Sequence, residues 1–164
     1  MSIRGYVLGG DRLDGAPSED VPRNQSPPIE SPCLTRTGLP AFDNQCAIRM
    51  SECLAASGVS IHSFRGKTCW HGHGRRHILR VEEIKLFIKR RGFFGQPEVA
   101  RSSRGKLSQT PYVGRQGIVA FRNFCGRGNQ GDHIDLWWSA FMAGFRSHPD
   151  YFSRSQEIWF WDIS

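Results

Sequence analysis

The fold is decided by the stretch Asp43-Asn44-Gln45-Cys46-Ala47-Ile48-Arg49-Met50, in which a turn-rich segment becomes an amphipathic helix. Asp43 and Asn44 are favourable N-cap residues. Apolar residues then recur at spacings of three and four until Gly58, which predicts a helix with Cys46 in its first turn. Unpaired N–H groups and the positive end of the helix dipole lie in that turn, and both favour a thiolate over a thiol. Cys46 is therefore a candidate nucleophile, and a buried structural cysteine is the alternative.

The composition is that of one domain of ordinary size with excess positive charge. The chain has 164 residues, 22 lysines and arginines against 15 acidic residues, a net charge of +7 and a pI of about 9.6. A chain of this length buries a core without metals or disulfides. The charge favours an anionic partner. The basic residues are scattered and no nucleic-acid-binding motif accompanies them, so we expect no nucleic acid as partner.

No membrane association is expected from the sequence. The chain has no apolar run that approaches the length of a transmembrane helix, and its N-terminus lacks the apolar core of a secretory signal. If the protein acts outside the cytoplasm, a route other than general secretion must carry it.

The cysteines do not form the pattern of a disulfide framework. They are odd in number and unevenly spaced, at Cys33, Cys46, Cys53, Cys69 and Cys125. At least one thiol stays free, and pairing among the others is left open. Cys53 lies among apolar residues of the predicted helix, away from its N-terminus, and is expected in the core.

The order of predicted elements indicates an α+β domain. Residues 1–37 are rich in proline and serine without periodicity and are predicted to be an irregular N-terminal segment, whereas 38–164 are predicted to form a single folded domain. Alternation predicts a short strand over 59–64, and a period of 3.6 predicts a second helix over 81–91. Aromatic-rich strands are predicted over Ile118–Phe124, His133–Trp138 and Glu157–Ile163. The economical assembly is an antiparallel sheet with the Cys46 helix packed on one face.

Candidate partners for Cys46 lie on the second of these strands. Alternation places His133 and Asp135 on one face and Ile134 on the other. A cysteine nucleophile needs an imidazole that holds it as thiolate and later protonates the leaving amine, and a third polar group orients the imidazole. If the helix lies across the face bearing His133, these residues form a Cys-His-Asp site. A solvated or structurally satisfied histidine is the alternative.

A rival constellation could bind zinc. It consists of a cysteine and three histidines within nine positions, Cys69, His71, His73 and His77. The spacing is unlike that of a zinc finger or of a helix-borne metalloprotease motif, and the intervening glycines and arginines fit a flexible loop. We therefore expect no metal and no cofactor. A zinc enzyme on these residues, and a non-catalytic basic binding module, remain the alternatives.

The chain resembles the type VI secretion amidase effectors of the fourth family. The most specific matches are Asn44–Met50 and Gly131–Trp137, and the resemblance covers roughly residues 38–164. Further matching segments are Gly38–Asp43, Cys69–His73, His77–Glu83, Gly114–Val119 and Ile158–Trp161. Residues 1–37 resemble nothing that we can place.

The resemblance implies a papain-like domain of the NlpC/P60 kind, delivered by type VI secretion into the periplasm of a competing bacterium. Its substrate would be the bond between D-glutamate and meso-diaminopimelate in peptidoglycan stems, and a cognate immunity protein would block its active site. Carried over by position, Cys46 is the nucleophile, His133 the general base and acid, and Asp135 the orienting residue. Asp132 and Asp150 are alternatives for this third position. Anionic peptidoglycan suits a basic protein.

Overall fold

The computed structural model describes residues 33–69, 76–102, 106–124, 131–142 and 150–163. Within these ranges the helices are Cys46–Ala56 (α1), Val81–Arg91 (α2) and Asp150–Arg154 (α3). The strands are Glu98–Arg101 (β1), Arg115–Phe124 (β2), Gly131–Ser139 (β3), Phe141–Met142 (β4) and Glu157–Asp162 (β5). A 3₁₀ turn covers Thr110–Tyr112.

The strands form one antiparallel sheet in the order β1-β5-β2-β3-β4. β2 is central, with Ala120 opposite Ile134 of β3 on one side and opposite Trp159 of β5 on the other. β4 pairs only with Trp137 and Trp138 of β3. The α+β class and the antiparallel sheet predicted from the sequence are confirmed.

The sheet is covered on both faces, because its central strands supply apolar side chains to two separate cores. Ile118 and Ala120 join α1 and α2 in the first core. Val119 and Phe121 join α3 in the second. Close packing also explains Gly117 in β2: a Cβ there would lie 2.3 Å from the carbonyl oxygen of Trp161, so only glycine fits.

Both predicted helices are present. α2 has the predicted bounds and ends at Gly92, whose left-handed conformation (φ 63°) lets its N–H bond to the carbonyl oxygens of Ile88 and Lys89. α1 begins at Cys46, which therefore lies in the first turn as predicted. Gln45, rather than Asp43 or Asn44, occupies its N-cap position.

The strand predicted over 59–64 is wrong. This segment is irregular and contains one turn at residues 62–63, which the N–H of Phe64 closes by bonding to the carbonyl oxygen of Ile61. Its apolar side chains contact the first core without strand pairing: Val59 is buried there, and the partly buried Phe64 packs edge-on against Phe87 of α2 with ring centroids 5.7 Å apart. Packing against the helices thus explains the apolar pattern of this segment, which the sequence analysis assigned to a strand.

The short elements of the fold were not predicted. β1 is an edge strand of mostly exposed residues and shows no alternation of burial. α3 has only five residues, too few for a helical period. Their positions depend on pairing with β5 and packing in the second core, which local sequence does not encode.

Candidate active site

Cys46 is the first residue of α1 and is half-buried against the first core. The side chain of the preceding Gln45 donates a hydrogen bond to the carbonyl oxygen of Phe42, which ties the entry loop to the helix start. The first N–H groups of an α-helix have no acceptor within the helix. The thiol therefore lies beside backbone donors that can stabilise negative charge, as expected from the sequence.

His133 and Asp135 lie on one side of β3, as alternation predicts. They pair across the sheet with Phe121 and Val119, and each is only 8% exposed. His133 Nε2 lies 3.5 Å from Asp135 Oδ2, and Asp135 Oδ1 accepts the N–H of Leu136 at 2.8 Å. The carboxylate is thus held by the backbone while it faces the imidazole.

The structure brings Cys46 close enough to His133 for its sulfur to help raise the pKa of the imidazole. The route differs from the one expected. α1 does not lie across the face that bears His133, because its apolar residues pack with Ile134, which points to the opposite side of β3. Residues 131–136 of β3 have no paired strand on the β4 side among the described residues. α1 contacts β3, and Cys46 in its first turn interacts with His133 of that strand.

The electrostatics of His133 favour its protonated form. Burial by itself lowers the pKa of His133, but the hydrogen bonds to Asp135 and Cys46 and the negative charge of both groups outweigh it and raise the pKa to about 9. At neutral pH this imidazole is a cation. It can balance a thiolate and can also donate a proton.

Aromatic rings fix the plane of the imidazole, and this feature was missed from the sequence. Tyr151 of α3 stacks on His133 with centroids 4.7 Å apart and planes 10° apart. Phe121 stacks less closely, at 6.3 Å. The only available signal was the aromatic-rich segment that ends at Tyr151, which core packing explains equally well from sequence alone.

Of the three carboxylates considered as the orienting residue, the structure places Asp135 beside His133. Asp132 accepts the N–H of Asn123 at 3.1 Å, and burial raises the pKa of its carboxyl. The side chain of Asp150 lies outside the described part of the structure. Asp135 is assigned as the candidate orienting residue because its Oδ2 lies 3.5 Å from His133 Nε2.

The remaining cysteines divide into two environments. Cys53 is buried in the first core as predicted, and burial together with Asp135 raises its pKa to about 11. Cys33 and Cys69 are buried together beside His77. The described cysteines are free thiols, and Cys125 lies outside the described residues.

Only half of the zinc constellation expected as the rival site can be located. His71 and His73 fall outside the described residues. Cys69 and His77 are adjacent, and their third neighbour is Cys33, which the sequence did not indicate. Of the described helices, none is long and apolar enough to cross a membrane.

Comparisons with known proteins identify the family and the fold of the chain. The model of the family described as Tae4, type VI secretion system (T6SS) amidase effector protein 4, matches residues 42–161. The fold is similar to the Tae4-Tai4 effector-immunity complex from Salmonella Typhimurium, with TM-score 0.60 and 22% identity over 75% of this chain and 76% of that chain. It is similar to Tae4 from Enterobacter cloacae, with TM-score 0.60 and 23% identity over 75% of this chain and 74% of that chain.

A third similar structure is Salmonella typhimurium Tae4 with the immunity protein Tai4 from Enterobacter cloacae, with TM-score 0.57 and 22% identity over 75% and 77% of the two chains. A comparison with curated proteins found no match. The structural likeness confirms the expected papain-like fold. The family model spans most of the chain, and the protein therefore belongs to the Tae4 family of type VI secretion amidase effectors.

Proposed function

We propose that this chain hydrolyses the γ-D-glutamyl–meso-diaminopimelate bond of peptidoglycan stems by cysteine acyl transfer. The observation that carries the proposal is the convergence of three groups: Cys46 at the first residue of α1, His133, whose pKa Cys46 helps to raise, and Asp135, whose Oδ2 lies 3.5 Å from His133 Nε2. Nucleophile, acid–base group and orienting carboxylate stand in the order that this chemistry requires. Membership in an amidase effector family excludes the alternative of a non-catalytic binding module.

Acylation follows from the position of Cys46. Its thiolate attacks the γ-glutamyl carbonyl carbon, and the oxygen that gains negative charge lies against N–H groups of the first turn of α1. The C–N bond then breaks and the D-glutamyl group stays on sulfur as a thioester. The departing diaminopimelate nitrogen takes a proton from His133.

Deacylation uses the same imidazole in the opposite sense. Neutral His133 removes a proton from water, and the resulting hydroxide attacks the thioester. The thiolate leaves, and His133 again carries the proton. Stacking by Tyr151 holds the ring plane constant through both steps.

The net charge and the family suggest the substrate, the site of action and the partner of the protein. A net charge of +7 suits anionic peptidoglycan. As a type VI secretion effector the protein is delivered to a target cell, and we propose the periplasm as its site of action. Two of the similar structures are complexes of Tae4 with the immunity protein Tai4, so a cognate immunity protein that covers the Cys46 site is the proposed partner. Residues 38–164 are proposed as the catalytic domain.

Product analysis tests the bond that is cut. Sacculi containing diaminopimelate are incubated with the protein, and soluble products are identified by mass spectrometry. We expect muropeptides that end in D-glutamate, together with peptides that begin with a free diaminopimelate amine. Products cut at another bond would contradict the proposed specificity.

Selective alkylation is the control for the chemistry. Protein treated briefly with iodoacetamide is assayed on the same sacculi, and the modified residues are mapped. Loss of activity should follow modification of Cys46 and not of Cys53, whose thiol is buried and has a raised pKa. Full activity with Cys46 alkylated would rule out cysteine catalysis.

Asp135→Asn is expected to lower kcat/KM by about 10²-fold and to change its pH profile. In the wild type, activity should fall as the pH rises through about 9, because His133 then loses the proton that the leaving amine needs. Asp135 helps to raise that pKa. Removing its charge therefore moves the alkaline limb to lower pH, which a merely structural defect would not do.

Asp132→Asn is the matched control. This carboxylate adjoins His133 in sequence but accepts the N–H of Asn123, which an asparagine oxygen can also do. We expect a change of less than about threefold and an unshifted alkaline limb. If Asp132→Asn shifted the limb and Asp135→Asn did not, Asp132 would be the orienting residue.

A further inference from the structure

A buried cluster of metal-ligating atoms lies apart from the Cys46 site. Cys33 Sγ, Cys69 Sγ and a ring nitrogen of His77 all lie within 4.8 Å of one another. His77 Nδ1 is 3.1 Å from Cys33 Sγ and 3.3 Å from Cys69 Sγ. The three residues are at most 3% exposed. Nothing in the proposed amidase chemistry uses them.

Pairing of two backbone segments brings the side chains of Cys69 and His77 together. Thr68 and Ile78 form an antiparallel bridge, and the N–H of Cys69 bonds to the carbonyl oxygen of His77 at 3.0 Å. The two side chains therefore stand opposite each other. The N–H of His77 also donates to Cys69 Sγ at 3.1 Å, a bond that stabilises negative charge on sulfur.

Glu52 completes the arrangement from α1. Its carboxylate bonds His77 Nε2, which places the ring proton on Nε2 and turns the lone pair of Nδ1 toward the two sulfurs. A carboxylate on the outer nitrogen of a histidine is the usual support of a metal-ligating imidazole. Ile48, one turn earlier on α1, packs against both cysteines.

From these contacts we infer that Cys33, Cys69 and His77 bind a structural Zn²⁺ ion, with Glu52 as the positioning residue. Two thiolates and an imidazole are preferred zinc donors. With Zn–S near 2.3 Å and Zn–N near 2.0–2.1 Å, tetrahedral angles separate sulfur from nitrogen by about 3.6 Å. The observed separations are shorter by only about 0.3–0.5 Å, so small side-chain rotations admit the ion. Binding releases the two thiol protons.

Such an ion would fasten three parts of the chain together. Cys33 precedes α1, Cys69 and His77 lie on the paired segments after it, and Glu52 lies on α1 itself. Because α1 also carries Cys46, the site would support the helix that presents the nucleophile. This role is independent of the proposed amidase chemistry.

Metal titration of the full chain in a Cys46→Ala background tests the inference, since zinc then has no site between Cys46 and His133. Reduced, metal-free protein is titrated with Zn²⁺ against a colorimetric chelator and with Co²⁺ by absorption. We expect one ion per chain, thiolate-to-cobalt charge transfer in the near ultraviolet, and a higher Tm with zinc. Failure to take up either metal under reducing conditions would overturn the inference.

Variants in the same background identify the ligands. Cys33→Ala should abolish the cobalt band, whereas the matched variant Cys53→Ala, at a buried cysteine of the first core, should retain it. Glu52→Gln should keep the band and weaken binding by about 10- to 100-fold. An unchanged cobalt spectrum in Cys33→Ala would refute the site. If that variant does not fold, the stoichiometry and spectrum of the parent decide.

Peptide mapping tests the alternative that Cys33 and Cys69 form a disulfide bond. If Cys33 and Cys69 were recovered as a cross-linked peptide lacking two hydrogen atoms, and reduction did not restore zinc uptake, the pair would be a disulfide and the inference would be wrong. Recovery of both as free thiols from the zinc-loaded protein is the expected result. No outcome of these measurements depends on amidase activity.

Discussion

Replacing Cys46 with alanine is expected to lower kcat/KM on sacculi by about 10⁴-fold or more. The methyl group cannot form the thioester, and the oxyanion donors and binding surface alone supply little of the rate. Cys46 is half-buried at a helix start, so the truncation removes few packing contacts. Soluble fragments released per unit time measure the effect.

Cys53→Ala is the control for the loss of a cysteine from the same helix. It removes a buried sulfur from the first core and should cost about 1 kcal/mol or more of stability while leaving activity within a few-fold of wild type. Thermal unfolding of both variants separates stability from chemistry. Undiminished release of fragments by Cys46→Ala would refute cysteine catalysis.

His133→Gln is expected to lower kcat/KM by about 10²- to 10⁴-fold. Glutamine has a similar volume but can neither hold a proton for the leaving amine nor accept one from water. It also removes the imidazolium charge that faces Cys46. We therefore expect Cys46 to react more slowly with iodoacetamide in this variant, while Cys53 is unchanged.

The alkylation rate distinguishes the catalytic role of His133 from a packing role. His133 stacks on Tyr151, so a replacement that merely loosens the fold would make Cys46 more accessible and its alkylation faster. Slower alkylation together with lost hydrolysis is the expected pair of results. Faster alkylation with a lowered Tm would show that His133 acts through packing.

The raised pKa of His133 also links stability to pH. A group whose pKa rises on folding stabilises the folded state fully below its unfolded value, near 6.5, and loses that contribution as the pH rises through about 9. Rate measurements on the alkaline side therefore belong at temperatures well below Tm. The fall in activity can then be assigned to the proton on His133.

Local periodicity was enough to predict the main elements. The helix over 81–91 has an apolar face, an acidic first turn and a terminal glycine, and it forms with the predicted bounds. The prediction of a strand over 59–64 was wrong because Val59 and Phe64 pack against the first core without strand pairing. β1 was missed because an exposed edge strand needs no apolar pattern.

The residue types of the site and their spacing could be predicted from the sequence. The way in which these residues approach one another could be predicted less well. Alternation on a strand places His133 and Asp135 on one side whatever the rest of the fold does. The approach of Cys46 to His133 depends on tertiary structure, since α1 and β3 are far apart in the sequence and meet only when the helix packs on the sheet. Tyr151 had no sequence signal beyond its aromatic character.

The sequence by itself determined that a cysteine begins a helix, that a histidine and a carboxylate share a strand face, and that these motifs resemble one amidase family. Those features depend on residues only a few positions apart, because the periodicity of a helix or a strand sets the direction of each side chain. Only the tertiary structure decided that Cys46 meets His133, and that Cys33 joins Cys69 and His77. These contacts join distant segments, and the packing of α1 against the sheet and the loops sets them.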